Sequence, residues 1–65
     1  MSGYVVVHGN NIRFFSRFVN GIPKFTSRPE YAMKFDYEEM AHHVAERCEA
    51  HTGHKYKVVS LDDED

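Results

Sequence analysis

Sixty-five residues make one domain at most. A chain of that length buries only about 60% of the surface it exposes when unfolded, and its core supplies roughly 3–5 kcal/mol of net stability. A deep catalytic cleft would hollow out a core already thin, so binding through an outer face is the expected mode of action. The net charge of −2 excludes no partner, but it is unevenly spread: residues 1–35 hold five cations and one acid, residues 36–65 three cations and nine acids. Either the two halves attract each other within the fold, or one of them faces a partner.

The N-terminus has no basic start followed by an apolar run, so no signal peptide is expected. The longest apolar run, Tyr4 to Val7, is far short of the ~20 residues of a membrane helix. Cys48 is the single cysteine, which rules out an internal disulfide and suits a reducing, cytoplasmic setting.

In chain order, Tyr4-Val5-Val6-Val7 is β-branched and aromatic and predicts a strand, apolar on both sides, so its inward face stays open. Gly9-Asn10-Asn11 tolerates left-handed backbone and predicts a turn. Ile12 to Val19 predicts a second strand, with Ile12, Phe14, Ser16 and Phe18 on one side and Arg13, Phe15, Arg17 and Val19 on the other. Asn20-Gly21 predicts a type I′ hairpin returning as a short strand, Ile22 to Phe25, which Pro23 confines to a sheet edge. Ser27-Arg28-Pro29-Glu30 has the form of a capping box, with a helical turn over 29–33.

Asp36 is the expected N-cap of the one full helix, with Glu38 and Glu39 at its positive end. Its stripe is Tyr37, Met40, Ala41, Val44, Ala45 and Cys48; it ends near His51, with Gly53 as the C′ residue. Lys55 to Leu61 is the last strand. The fold class is therefore α+β, a small antiparallel β-β-β-α-β sheet with one helix on one face, over residues 1–61. Asp62-Asp63-Glu64-Asp65 is expected to be a frayed acidic tail. The expected core is Val5, Val7, Ile12, Phe14, Phe18, Phe35, Met40, Ala41, Val44, Cys48, Val58 and Leu61.

With one helix covering one side, the other side of the second strand is left to Arg13, Phe15 and Arg17, the candidate partner-binding residues. An aromatic between two arginines suits a protein interface. It could also stack a nucleic-acid base while the guanidinium groups hold phosphate, or bury itself against a second copy in a homodimer. Alternatively, Phe15 packs against Tyr4 or a neighbouring strand and the arginines snorkel over it. The acidic second half weighs against strong phosphate binding.

Cys48, His51 and His54, three apart, are of zinc-ligand type. Cys48 falls in the core stripe and no fourth ligand follows, so neither a metal nor another cofactor is expected. For the same reason Cys48 and His51 make a poor nucleophile and base: a core thiol is inert. No catalytic residues are assigned, and the chain is not read as an enzyme.

The run from Phe25 to Ala41, with Phe25, Ala32, Phe35, Glu39 and Ala41 in a fixed cadence after a strand hairpin, resembles small accessory proteins of tailed phages and prophages. The resemblance spans about residues 4–61 and describes a packing solution, Ala32 and Phe35 seating the helix entry on the sheet. It implies a protein that binds and modulates, by inhibition, a host protein in the host cytoplasm, as host-takeover factors and anti-CRISPR proteins do. It carries no functional residue onto this chain.

Overall fold

Residues 3–9 and 13–61 are described by a computed structural model. The strands are β1 (Tyr4–His8), β2 (Phe14–Val19), β3 (Ile22–Thr26) and β4 (Tyr56–Ser60), with one helix, α1 (Glu38–Thr52), and a 3-10 turn at Pro29–Tyr31. They form one antiparallel sheet in the order β3-β2-β1-β4, and α1 packs on β4 and β1 with a lighter contact to β3. This is the α+β architecture expected. Ile12, most of the first turn and the acidic tail lie outside the described residues.

The second hairpin closes as its sequence predicts. Val19 and Ile22 are partners, and Asn20 and Gly21 between them have φ of 54° and 80°. Two positive φ angles in a two-residue loop define the type I′ turn, which matches the twist of its strands. Pro23 follows on edge strand β3. Residues flanking such a turn exchange hydrogen bonds, so Pro23 falls at the next, outward-directed position, where its missing N–H costs nothing and blunts the edge.

Beyond the turn, the expected alternation fails. Phe15 pairs with Phe25 but Arg17 pairs with Lys24, so Ser16 is an extra residue without a partner on β3. A bulge of this kind bends its strand and breaks the period of two. As a result Phe15 and Phe18 share a face, with ring centroids 4.9 Å apart. Phe15 is 1% exposed and takes the core position predicted for its neighbours. Phe14 turns to the opposite face, paired with Val7, and is half-buried.

The bent β2 leaves β1 after a single pairing, Val7 with Phe14, supported by the His8 N–H donating to the Arg13 carbonyl at 2.8 Å. The connection after the 3-10 turn fills the gap. The Met33 N–H donates to the Phe15 carbonyl (2.9 Å), and Tyr4 and Phe35 exchange hydrogen bonds of 3.0 and 2.8 Å. Backbone groups on both strands that the bulge deprives of partners are satisfied in this way.

The core lies between the sheet and α1: Val6, Phe15, Phe35 and Tyr56 against Ala41, Ala45 and Cys48, with Tyr4, Phe25, Val44 and Val58 around it. Large groups from the sheet meet small ones on the helix, which lets α1 sit close. Met40 and Tyr37, expected in the stripe, are exposed (52% and 67%), because the seam rotates onto the small residues. The sheet curls around this core, so that Phe25 on one edge stacks on Tyr56 at the other, 5.5 Å apart and 11° from parallel. Val5 and Ala32 are buried outside the helix-side cluster, so the outer face is not bare along its whole length.

Helix ends also depart from expectation. Tyr37, not Asp36, is the N-cap, without a side-chain hydrogen bond; Glu38 and Glu39 still face the positive end of the dipole. The short turn starts at Arg28 rather than Ser27, and the Arg28 N–H donates to Thr26 Oγ1 at 3.1 Å. Gly53 closes α1 in the left-handed conformation, φ 79°, its N–H donating to the Glu49 carbonyl. Thr52 then ties the end to β4. Its hydroxyl donates to the Cys48 carbonyl (2.9 Å) and therefore accepts from the Tyr56 hydroxyl (3.0 Å) and the His54 N–H (3.2 Å).

Phe15→Ala should cost about 3–5 kcal/mol, comparable with the whole stability of so small a domain. Urea denaturation should find this variant largely unfolded, whereas Arg17→Ala, at an exposed position, should stay within about 0.5 kcal/mol of the parent.

Candidate functional site

The structure separates the three candidate residues. Phe15 is in the core, against Phe18, Phe25 and Phe35. Arg13 is exposed just before β2, its carbonyl engaged by His8. Arg17 alone lies exposed on the outer face of the sheet. The proposed aromatic at the centre of an arginine pair does not exist on that face, because the bulge reverses the direction of Phe15.

A different constellation takes its place. Cross-strand partners share a face. Thr26 pairs with Phe14, Phe14 with Val7 and Val7 with Lys57, a row that crosses all four strands on the outer side. Two positions along β3 lies Lys24, opposite Arg17, and then Ile22, opposite Val19. Among the described strand residues, the three charged ones on this face, Arg17, Lys24 and Lys57, are all cations. None of the four strands contains an aspartate or glutamate. Among the described residues, no carboxylate lies within salt-bridge distance of the three; the contacts of that kind are the Arg28–Glu30 ion pair and the His42–Glu38 hydrogen bond. Val19, Ile22 and Val59, all more than a third exposed, supply apolar area beside the charges.

The opposite sign sits on the far side of the molecule. Glu39, His42, His43 and Glu46 line a shallow groove on the solvent face of α1. The uneven charge along the chain thus becomes two faces, a cationic outer sheet and an acid-rich helix.

Lys24 and Lys57 were not among the expected site residues, although a signal for Lys24 was present. Counting back from the Asn20-Gly21 turn pairs Val19 with Ile22, Phe18 with Pro23 and Arg17 with Lys24. Lys57 needed the register of β4 on β1, which no turn specifies.

Cys48 is fully buried, and burial, reinforced by the charge of Glu49, pushes its thiol up to about 11. Its backbone carbonyl is occupied by Thr52. The His54 ring lies against His8, with centroids 5.0 Å apart and planes tilted by 49°. Among the described residues no three His, Cys, Asp or Glu side chains gather as a metal-binding group, and no helix is long and apolar enough to cross a membrane. Neither a protein-family model, nor a curated protein, nor a solved structure matches the chain.

The buried thiol makes a checkable prediction. In the folded protein Cys48 should resist iodoacetamide at pH 8 and react fully in denaturant. Because the folded thiol titrates near 11 and the unfolded one near 9, its contribution to stability is complete below pH 9 and is lost as pH rises from 9 to 11. Melting temperatures measured across that window should fall more steeply for the parent than for Cys48→Ala.

Proposed function

We propose that this is a non-catalytic binding module that acts on an acidic surface of another protein through the outer face of the β2–β3 hairpin. The carrying observation is the pairing of Arg17 with Lys24. Like charges directly opposite each other on a sheet are destabilising, by up to about 1 kcal/mol. A small domain that retains such a pair, beside exposed Val19 and Ile22 and with no carboxylate in reach among the described residues, has a surface suited to a partner that supplies the missing negative charge.

Apolar and cationic side chains interleaved in this way favour a protein over the other two partners considered. A nucleic-acid site of the stacking kind has lost its ring with Phe15 buried, and Phe14, the aromatic remaining in the outer row, is half-buried. A homodimer packed face to face would bring the copies of Arg17, Lys24 and Lys57 together, which repels. The resemblance to phage and prophage accessory proteins supports a host protein as the partner and inhibition as the outcome.

Lys24→Glu separates stability from function. It replaces a repulsive cross-strand pair by an attractive one, so it should raise the stability of the free domain by about 0.2–1 kcal/mol. At the same time it should abolish capture of the partner. Affinity capture from bacterial lysate, with and without nuclease treatment, comparing the parent with Lys24→Glu and Arg17→Glu, reads the second effect. The reading fails if both variants retain the proteins that the parent captures, and capture that disappears on nuclease treatment assigns the face to nucleic acid instead.

A further inference from the structure

On the other side of the same hairpin, its tip and the last turns of α1 form a cleft of about 280 Å³ lined by Phe18, Gly21, Arg47, Ala50 and His51. Phe18 packs one side of its ring on Phe15 and leaves 39% of its surface exposed. Arg47, Ala50 and His51 are three and four residues apart and so share one helical face toward the tip. Among the described residues neither the Arg47 nor the His51 side chain makes a hydrogen bond or ion pair, and no acid lines the cleft. Gly21, held at φ 80°, has nothing within 4 Å of where a Cβ would stand, so the mouth is open on the turn side.

Apolar surface from Phe18 and Ala50 beside the guanidinium of Arg47 suits a ligand with an apolar group next to a negative charge. The cleft's volume, at the lower edge of the roughly 300–1,000 Å³ of small-molecule sites, is enough for one side chain of a peptide. We propose that this cleft receives an apolar side chain of an acidic peptide segment, with the neighbouring carboxylate on Arg47. The proposal shares with the sheet-face reading only that the partner is a protein. The two sites lie on opposite sides of the hairpin and are separable by substitution.

The test is an amide-resolved NMR titration with a capped hexapeptide of alternating leucine and aspartate, and with its leucine–asparagine counterpart. Saturable shifts are expected at Phe18, Gly21, Arg47, Ala50 and His51. Affinity should weaken about tenfold or more, a difference of about 1.4 kcal/mol, for the asparagine peptide and for Arg47→Glu, while Arg17→Glu leaves it unchanged. Arg47 is exposed, so the variant should retain the parent's spectrum elsewhere. Equal binding of the two peptides, or no saturable shift by about 5 mM, overturns the proposal. So do shifts confined to Arg17 and Lys24 that Arg47→Glu does not affect, an outcome that leaves the sheet-face reading standing.

Discussion

A single unpaired residue, Ser16, sets the geometry on which the rest of this domain depends. Inserted between Phe15 and Arg17, it turns a strand that would present Phe14, Ser16 and Phe18 to the helix into one that presents Phe15 and Phe18. The bulge costs the β1–β2 ladder most of its length. The lost hydrogen bonds are replaced by the segment from Met33 to Phe35, which also delivers the Phe35 ring to Phe15. The insertion in β2, the gap beside β1 and the burial of the helix entry are thus one event.

The same curvature lets a four-stranded sheet enclose a core with one short helix. Phe25 and Tyr56, from opposite edges, could not touch across a flat sheet; their stacking measures how far it curls. Ring contacts run on from there, through Tyr56 to His8 and His54 at one end and through Phe15 to Phe18 at the other. Aromatic pairs contribute about 0.5–1.5 kcal/mol beyond their buried area, which matters in a domain with so few buried side chains. Ala41, Ala45 and Cys48 leave room for this layer.

Folding the aromatic groups inward fixes what remains outside. Among the described strand residues, the charge of the outer sheet face comes from Arg17, Lys24 and Lys57, and the acids of the described residues lie on α1 and in the connection before it. A segregated surface of this kind produces a directional field, which speeds encounter with a partner of opposite sign and disfavours others. Both proposed contact regions flank the tip of the β2–β3 hairpin, where the rigid type I′ turn holds Val19 and Ile22 on one side and Phe18 on the other.

Much of the architecture was legible in the residues alone. Asn20-Gly21, Pro23, Gly53 and the stripe of Ala41, Ala45 and Cys48 each act through local backbone or periodic chemistry, and each stands where that chemistry puts it. The direction of Phe15 was not legible, because alternation assumes an unbroken ladder and a bulge depends on the partner strand. Phe14-Phe15 followed by Phe18 already broke the period of two, but only the pairing of β3 shows which two of the three turn inward. The expected trio came apart for that reason: of Arg13, Phe15 and Arg17, one residue remained on the outer face. Sequence by itself determined the element order, the turn and the absence of acids from every strand. Which cations share a face was decided by the register of β4 on β1 and of β2 on β3, a tertiary property set by hydrogen bonds between residues distant in the chain.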